Sequence, residues 1–188
     1  MRRVLVALSV ACVLVLTLVL PASASKPMEV SGWFTGAGYT APSPPGETRG
    51  GNCFLTRYYK HTWGQGSLLG YDEMVWEIVA HAPCAATEAN MQRENLRTKG
   101  WFEGSICLGG AYEGENCSGD AHDLRFEFTL QGQVTPTEDP ADPTLKGRLT
   151  ILSGESDLGV PHGVIELWGR VGREGWMAYE GQIHFDPK

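Results

Sequence analysis

The chain has 188 residues, of which 42% are hydrophobic and 20% charged, and it carries a formal net charge of −7. This length predicts one domain, large enough to bury a core without a metal ion to hold it together. The acidic balance, with no basic cluster, argues against binding to nucleic acid or to anionic membrane surfaces.

The N-terminus has the features of a secretory signal peptide. Arg2 and Arg3 precede an apolar run from Val4 to Leu20, and the small residues Ala22-Ser23-Ala24 form an A-x-A cleavage site. The alternative is an uncleaved anchor, but the run is short for a bilayer span. We therefore expect residues 1–24 to be removed. Residues 25–188 would then form a single secreted or periplasmic domain that makes no membrane contact after cleavage.

Alternating polarity predicts eight strands in the rest of the chain. The clearest is Asp123 to Val134, where apolar residues alternate with polar ones, so that one face of a strand is dry and the other wet. The other predicted strands are Glu29 to Thr35, Cys53 to Thr62, Tyr71 to Ala82, Thr98 to Cys107, Leu145 to Leu152, Val164 to Val171 and Trp176 to Phe185. We favour a single eight-stranded antiparallel β-barrel (calycin-like) over a sandwich, because closing the sheet removes exposed edges.

Other segments interrupt this pattern. Ala85 to Leu96 is rich in helix-forming residues, and Thr87 could cap its start, which predicts one short helix over 85–96. The Gly- and Pro-rich segment from Ala37 to Asn52 predicts a long loop that could act as a lid, and Thr135 to Thr144 predicts a second loop.

Four cysteines remain after removal of the signal peptide: Cys53, Cys84, Cys107 and Cys117. An even number in an exported chain indicates two disulfides. Three pairings are open, and we favour Cys107–Cys117 together with Cys53–Cys84. A zinc site is the alternative, but it needs closely spaced ligand pairs that the chain lacks.

Motifs for a catalytic nucleophile, a phosphate loop or a dinucleotide cofactor are absent from the sequence, so it predicts no metal and no cofactor. The candidate catalytic residues are Glu103 and the Tyr58-Tyr59 pair. Glu103 would need to face the barrel interior, where burial would make it a usable acid or base, whereas an outward Glu103 is ordinary surface charge. One of the two tyrosines must face inward.

Aromatic residues are the strongest indication of binding, since a pocket for an apolar ligand needs such walls. The candidate ligand-binding residues are Trp33, Trp76, Trp101, Phe102 and Tyr179. The competing interpretation is that they only fill the core. Trp168 and Trp176 share a face with Glu166 and Glu180, so we expect them to be exposed and able to contact a partner; the sequence leaves homo-oligomerisation open.

The last 40 or so residues resemble the allene oxide cyclase/dirigent-type barrel superfamily, in particular small bacterial members with no assigned function. The resemblance rests on the strand 145–154, the turn SG-x-x-DLGVPHG at 153–163, and the closing Y-x-G-x-I-x-F at 179–185. It implies an eight-stranded barrel. In the plant enzymes such a barrel encloses an unsaturated fatty-acid epoxide and steers its cyclisation, and in dirigent proteins it steers phenoxy-radical coupling. No catalytic residue of either matches a position in this chain.

These observations predict a secreted barrel that binds a small, largely apolar ligand. One alternative is an isomerase or cyclase that acts by confining an unsaturated lipid-like or phenolic substrate. The other is a non-catalytic extracellular interaction protein.

Overall fold

Eleven β-strands make up most of the chain that the computed structural model describes, which comprises residues 26–39, 45–85, 94–137, 143–170 and 175–187. The predicted signal peptide lies outside these residues, as does part of each predicted loop. The strands are β1 Met28–Tyr39, β2 Glu47–Arg49, β3 Asn52–Gly66, β4 Leu68–Ala80, β5 Glu94–Leu108, β6 Tyr112–Glu113, β7 Asn116–Cys117, β8 Asp120–Thr135, β9 Thr144–Ser156, β10 Val160–Arg170 and β11 Trp176–Asp186.

Eight long strands close into a ring. They follow the order β1-β11-β10-β9-β8-β5-β4-β3, and β3 pairs back onto β1. Every pairing is antiparallel. The predicted all-β, eight-stranded antiparallel barrel is therefore confirmed, and it includes all eight predicted strands.

Alternation along each strand places the core inside this ring. On β8, Leu124, Phe126, Phe128 and Leu130 are buried while Arg125 and Glu127 are exposed. Each fully buried side chain of this kind contributes roughly 1.5–3 kcal/mol of transfer free energy. Aromatic rings fill much of the interior: Phe34 stacks on Trp63 at 4.3 Å, and Phe102 stacks on Phe126 at 4.9 Å between ring centroids.

The predicted helix over 85–96 is wrong at its C-terminal end. Glu94, Asn95 and Leu96 begin β5 and pair with Ala80, Val79 and Ile78 of β4. Glu94 and Leu96 point inward in phase with Thr98, so pairing with the neighbouring strand overrides the helix propensity of the segment. Residues 86–93 lie outside the described residues. Among those that are described, no helix is long and apolar enough to cross a bilayer.

Both favoured disulfides are present. Cys53 on β3 is bonded to Cys84, and Cys107 at the end of β5 is bonded to Cys117 on β7. The second bond closes the segment that contains β6, which itself pairs with β3 at the end of the barrel. Two disulfides are compatible with an oxidising compartment outside the cytoplasm.

Candidate functional site

A carboxylate lies fully buried inside the barrel. Asp72 points inward from β4 because it is two residues before Met74 on the same face. His61 lies directly opposite it on β3. The His61 Nδ1 and Asp72 Oδ1 atoms are 2.8 Å apart, and the Trp63 indole N–H donates to Asp72 Oδ2 at 2.7 Å. A buried carboxylate is costly unless it is hydrogen-bonded, and here both oxygens have a partner.

Three aromatic rings surround the His61 imidazole. Phe34 meets it edge-on at 5.4 Å between centroids, Tyr59 lies at 5.9 Å, and Trp76 at 6.3 Å. The Tyr59 and Trp76 rings are 4.2 Å apart. The polar pair is therefore packed among aromatic rings inside the barrel.

Two buried polar atoms next to these walls lack a hydrogen-bond partner. Trp76 and Thr98 lie directly opposite each other on β4 and β5. Within the described part of the chain, neither the Trp76 indole nitrogen nor the Thr98 hydroxyl oxygen has a partner. An unsatisfied buried polar group costs about 1–3 kcal/mol, so buried groups in native proteins are nearly always paired. Each of these two atoms therefore has hydrogen-bonding capacity that no described residue uses.

A second carboxylate lies further along the interior face of β5. Glu94 is only 5% exposed. Burial raises the pKa of its carboxyl group, and the charge of Arg57 partly opposes this effect. Arg57 lies directly opposite Trp76 on β3. This part of the interior therefore carries a carboxyl group and a guanidinium in addition to the unpartnered donor and hydroxyl.

The catalytic candidates from the sequence occupy different faces. Tyr59 points inward toward His61 and Trp76, which confirms that one tyrosine of the Tyr58-Tyr59 pair faces the interior, and Tyr58 takes the outer face. Glu103 has the outward orientation expected of ordinary surface charge, not the inward one that a catalytic role would require. Its side chain is exposed on the outer face and accepts a hydrogen bond of 3.3 Å from the Tyr71 hydroxyl.

The five aromatic candidates also divide between the two faces. Trp76, Phe102 and Tyr179 are buried inside, whereas Trp33 is 42% exposed. Trp101 lies outside, with its ring 5.3 Å from the Tyr71 ring. Phe102 and Tyr179 have well-defined packing partners, since Phe102 stacks on Phe126 and the Tyr179 hydroxyl accepts a 2.8 Å hydrogen bond from Leu68 N–H. Trp76 is the candidate that carries one of the two unpartnered polar atoms.

Sequence reasoning missed His61, Asp72, Glu94 and Thr98 as site residues. The signal for Asp72 was available, because it continues the inward series of Met74, Trp76 and Ile78 by one step toward the N-terminus. An acidic residue in phase with a buried apolar stripe is a candidate interior polar group. Its partner could not be predicted without the register between β3 and β4.

The described residues contain no group of three His, Cys, Asp or Glu side chains placed to hold a metal ion. Comparison of the chain with protein-family models, with curated proteins and with solved structures found no match.

Proposed function

We propose that this protein is an exported barrel that binds a small, largely apolar molecule in its interior through a hydrogen-bond acceptor on that molecule. The observation that carries the proposal is the pair of buried, unpartnered polar atoms, Trp76 Nε1 and Thr98 Oγ1, on adjacent strands. A carbonyl, ether or hydroxyl oxygen between them would satisfy the indole donor and accept from or donate to the threonine hydroxyl.

The surroundings define the rest of the ligand. Tyr59 and Trp76 provide a flat aromatic wall, and Phe34 and His61 extend it. Such walls favour a planar or unsaturated apolar body over a flexible polar one. The resemblance to allene oxide cyclase and dirigent-type barrels supports the same ligand class, because those barrels enclose unsaturated lipid or phenolic molecules.

Export is part of the proposal. It rests on the basic, apolar and A-x-A features of residues 1–24 and on two disulfides, which persist in secreted and periplasmic proteins. N-terminal sequencing of protein recovered from the culture medium or periplasm should give Ser25 as the first residue.

Native mass spectrometry of protein purified from its own host tests for a retained molecule. A direct binding test uses prodan, a fluorescent naphthyl ketone with an apolar body and one acceptor. We expect its emission to shift to the blue on binding. Trp76→Phe, which keeps a ring but removes the donor, should weaken the affinity by roughly tenfold, the effect of about 1.4 kcal/mol.

Trp101→Phe is the matched control, because Trp101 lies outside the barrel and should leave prodan affinity unchanged. The proposal is overturned if the wild-type protein carries no molecule and does not bind prodan. It is also overturned if the two tryptophan variants bind prodan equally.

A second candidate function is an isomerase or cyclase that acts by confinement, and the buried His61–Asp72 pair favours it. The Asp72 carboxylate accepts from Nδ1 and so fixes the imidazole tautomer, which leaves Nε2 as the nitrogen available to exchange a proton. For an unsaturated fatty-acid epoxide incubated with the protein, His61→Gln should abolish turnover while prodan still binds. Equal turnover by wild type and this variant would remove His61 from the mechanism.

A further inference from the structure

Three exposed tryptophans lie together on the outside of the barrel, on the opposite face of the sheet from the interior site. Trp33 on β1 and Trp168 on β10 both lie directly opposite Ala178 on β11, one on each side. Trp176 precedes Ala178 by two residues and shares its outer face. Their exposed fractions are 42%, 40% and 49%, respectively. We call Trp33, Trp168 and Trp176 the tryptophan face.

A polar groove adjoins this face. It has a volume of about 520 Å³, and its lining includes Glu29, Arg148, Glu166, Trp168, Glu180 and Gln182. The Gln182 amide donates to Glu29 at 2.7 Å, and Arg148 lies 3.7 Å from the Glu166 carboxylate. The groove therefore combines carboxylate, amide and guanidinium groups along one edge of an aromatic surface.

Glu166 and Glu180 lie directly opposite each other on β10 and β11. Like charges in this position destabilise a sheet, because their side chains are close and repel one another. Both point outward, where Arg148 on β9 forms an ion pair with Glu166. A ligand that supplies several hydrogen-bond donors would offset the repulsion.

We propose that the tryptophan face and its groove bind an extended, neutral β-linked glycan. The apolar C–H face of a pyranose ring packs against the electron-rich face of an indole, and its hydroxyls donate to carboxylates and exchange hydrogen bonds with amides. The backbones at Trp33 and Trp168 are two strand spacings apart, about 10 Å, which corresponds to a disaccharide repeat in an extended β-1,4-linked chain. This inference is independent of the interior site.

Charge argues for a neutral polyhydroxylated ligand over other occupants. Glu29, Glu166 and Glu180 outnumber Arg148 at the groove, which disfavours nucleic acid and anionic lipid. A twofold dimer on this face would bring the same acidic row from both copies into one contact, where the like charges would repel. A sugar chain brings hydroxyl donors and no charge.

The test measures depletion of the protein from solution by microcrystalline cellulose and by crystalline chitin, with calorimetric titration by cellohexaose and chitohexaose. We expect binding to at least one of these glycans. Trp33→Ala and Trp168→Ala should each weaken it by roughly fivefold to tenfold, since each removes one stacking surface. Phe54→Ala is the matched control, because Phe54 is 41% exposed but lies on β3, outside the tryptophan face.

Glu180→Gln distinguishes a sugar from an organic cation. A glycan hydroxyl bonds to a carboxamide as well as to a carboxylate, so this variant should keep the affinity within about twofold. The inference is overturned if the folded wild type binds neither glycan, or if the two tryptophan variants bind as well as Phe54→Ala. It is also overturned if the wild type binds no glycan but dimerises with concentration in sedimentation, and the two tryptophan variants abolish that dimerisation.

Discussion

His61 and Asp72 form a hydrogen bond of 2.8 Å inside the barrel, and neither side chain is more than 2% exposed. The pair joins β3 to β4 across a direct register position, so the same contact that positions the imidazole also ties two strands together. The Trp63 indole completes the arrangement by occupying the second carboxylate oxygen. The contact between β3 and β4 and the orientation of the His61 imidazole therefore both depend on the Asp72 carboxylate.

Replacing the Asp72 carboxylate should lower the stability of the folded protein. Asp72→Ala leaves the His61 and Trp63 donors buried without an acceptor, and we expect the free energy of unfolding to fall by about 3–5 kcal/mol. Urea unfolding with intact disulfides measures this change. Asp123→Ala, at an exposed position on β8, should change it by less than about 0.5 kcal/mol. A loss below about 1 kcal/mol for Asp72→Ala would contradict the role of Asp72 as the shared acceptor.

The fold was predictable because buried and exposed residues alternate along much of each long strand. The alternation of Leu124, Phe126 and Phe128 with polar residues defines β8 from the sequence alone. Because Trp168 and Trp176 share a face with Glu166 and Glu180, they were predicted to be exposed, and both are. A period of two fixes which side chains share a face, and it needs no knowledge of neighbouring strands.

The interior site was not predictable because it depends on register. His61 and Asp72 both lie in predicted strands, but those strands ended at Thr62 and resumed at Tyr71, whereas β3 and β4 continue to Gly66 and from Leu68, which fixes the register that brings the two residues together. A distant strand stabilises this corner: the Ser67 N–H donates to the Ser31 carbonyl at 2.8 Å, and the Ser31 N–H donates to the Ser67 hydroxyl at 3.1 Å. The neighbourhood of Trp33 and Trp168 likewise requires the closed order β1-β11-β10.

The Tyr179 hydroxyl should contribute measurably to stability. It accepts a hydrogen bond from the buried Leu68 N–H, and burial raises the pKa of the phenol. Tyr179→Phe leaves that N–H without an acceptor at a cost of about 1–3 kcal/mol, equivalent to a Tm lower by about 2–4 °C for each kcal/mol. Thermal melting measures this loss. Tyr71→Phe, which removes an exposed hydroxyl, serves as the control, and equal Tm values for the two variants would count against the prediction.

The two disulfides should differ in their contribution to stability. Cys53–Cys84 spans 31 residues and Cys107–Cys117 spans 10. Because a cross-link that closes a longer loop removes more entropy from the unfolded chain, loss of the first bond should cost about 1 kcal/mol more than loss of the second. Denaturant unfolding of the double Cys→Ala variants measures both losses. Greater destabilisation on loss of Cys107–Cys117 would contradict this order.

Glu94 should make the barrel less stable as pH rises. Burial raises the pKa of its carboxyl group, so the folded chain holds this proton at pH values where the unfolded chain has lost it. Stability is then highest below the unfolded-state pKa and falls as pH rises through the folded-state pKa.

Glu94→Gln buries no charge and should melt about 2–4 °C above wild type near neutral pH, the shift that roughly 1 kcal/mol produces in a chain of this length. The difference should disappear below about pH 3, where the wild-type carboxyl is protonated in both states. Glu77→Gln, at an exposed position on the outer face of β4, is the matched control. If Glu94→Gln is instead the less stable protein near neutral pH, attraction between Glu94 and Arg57 outweighs the cost of burial.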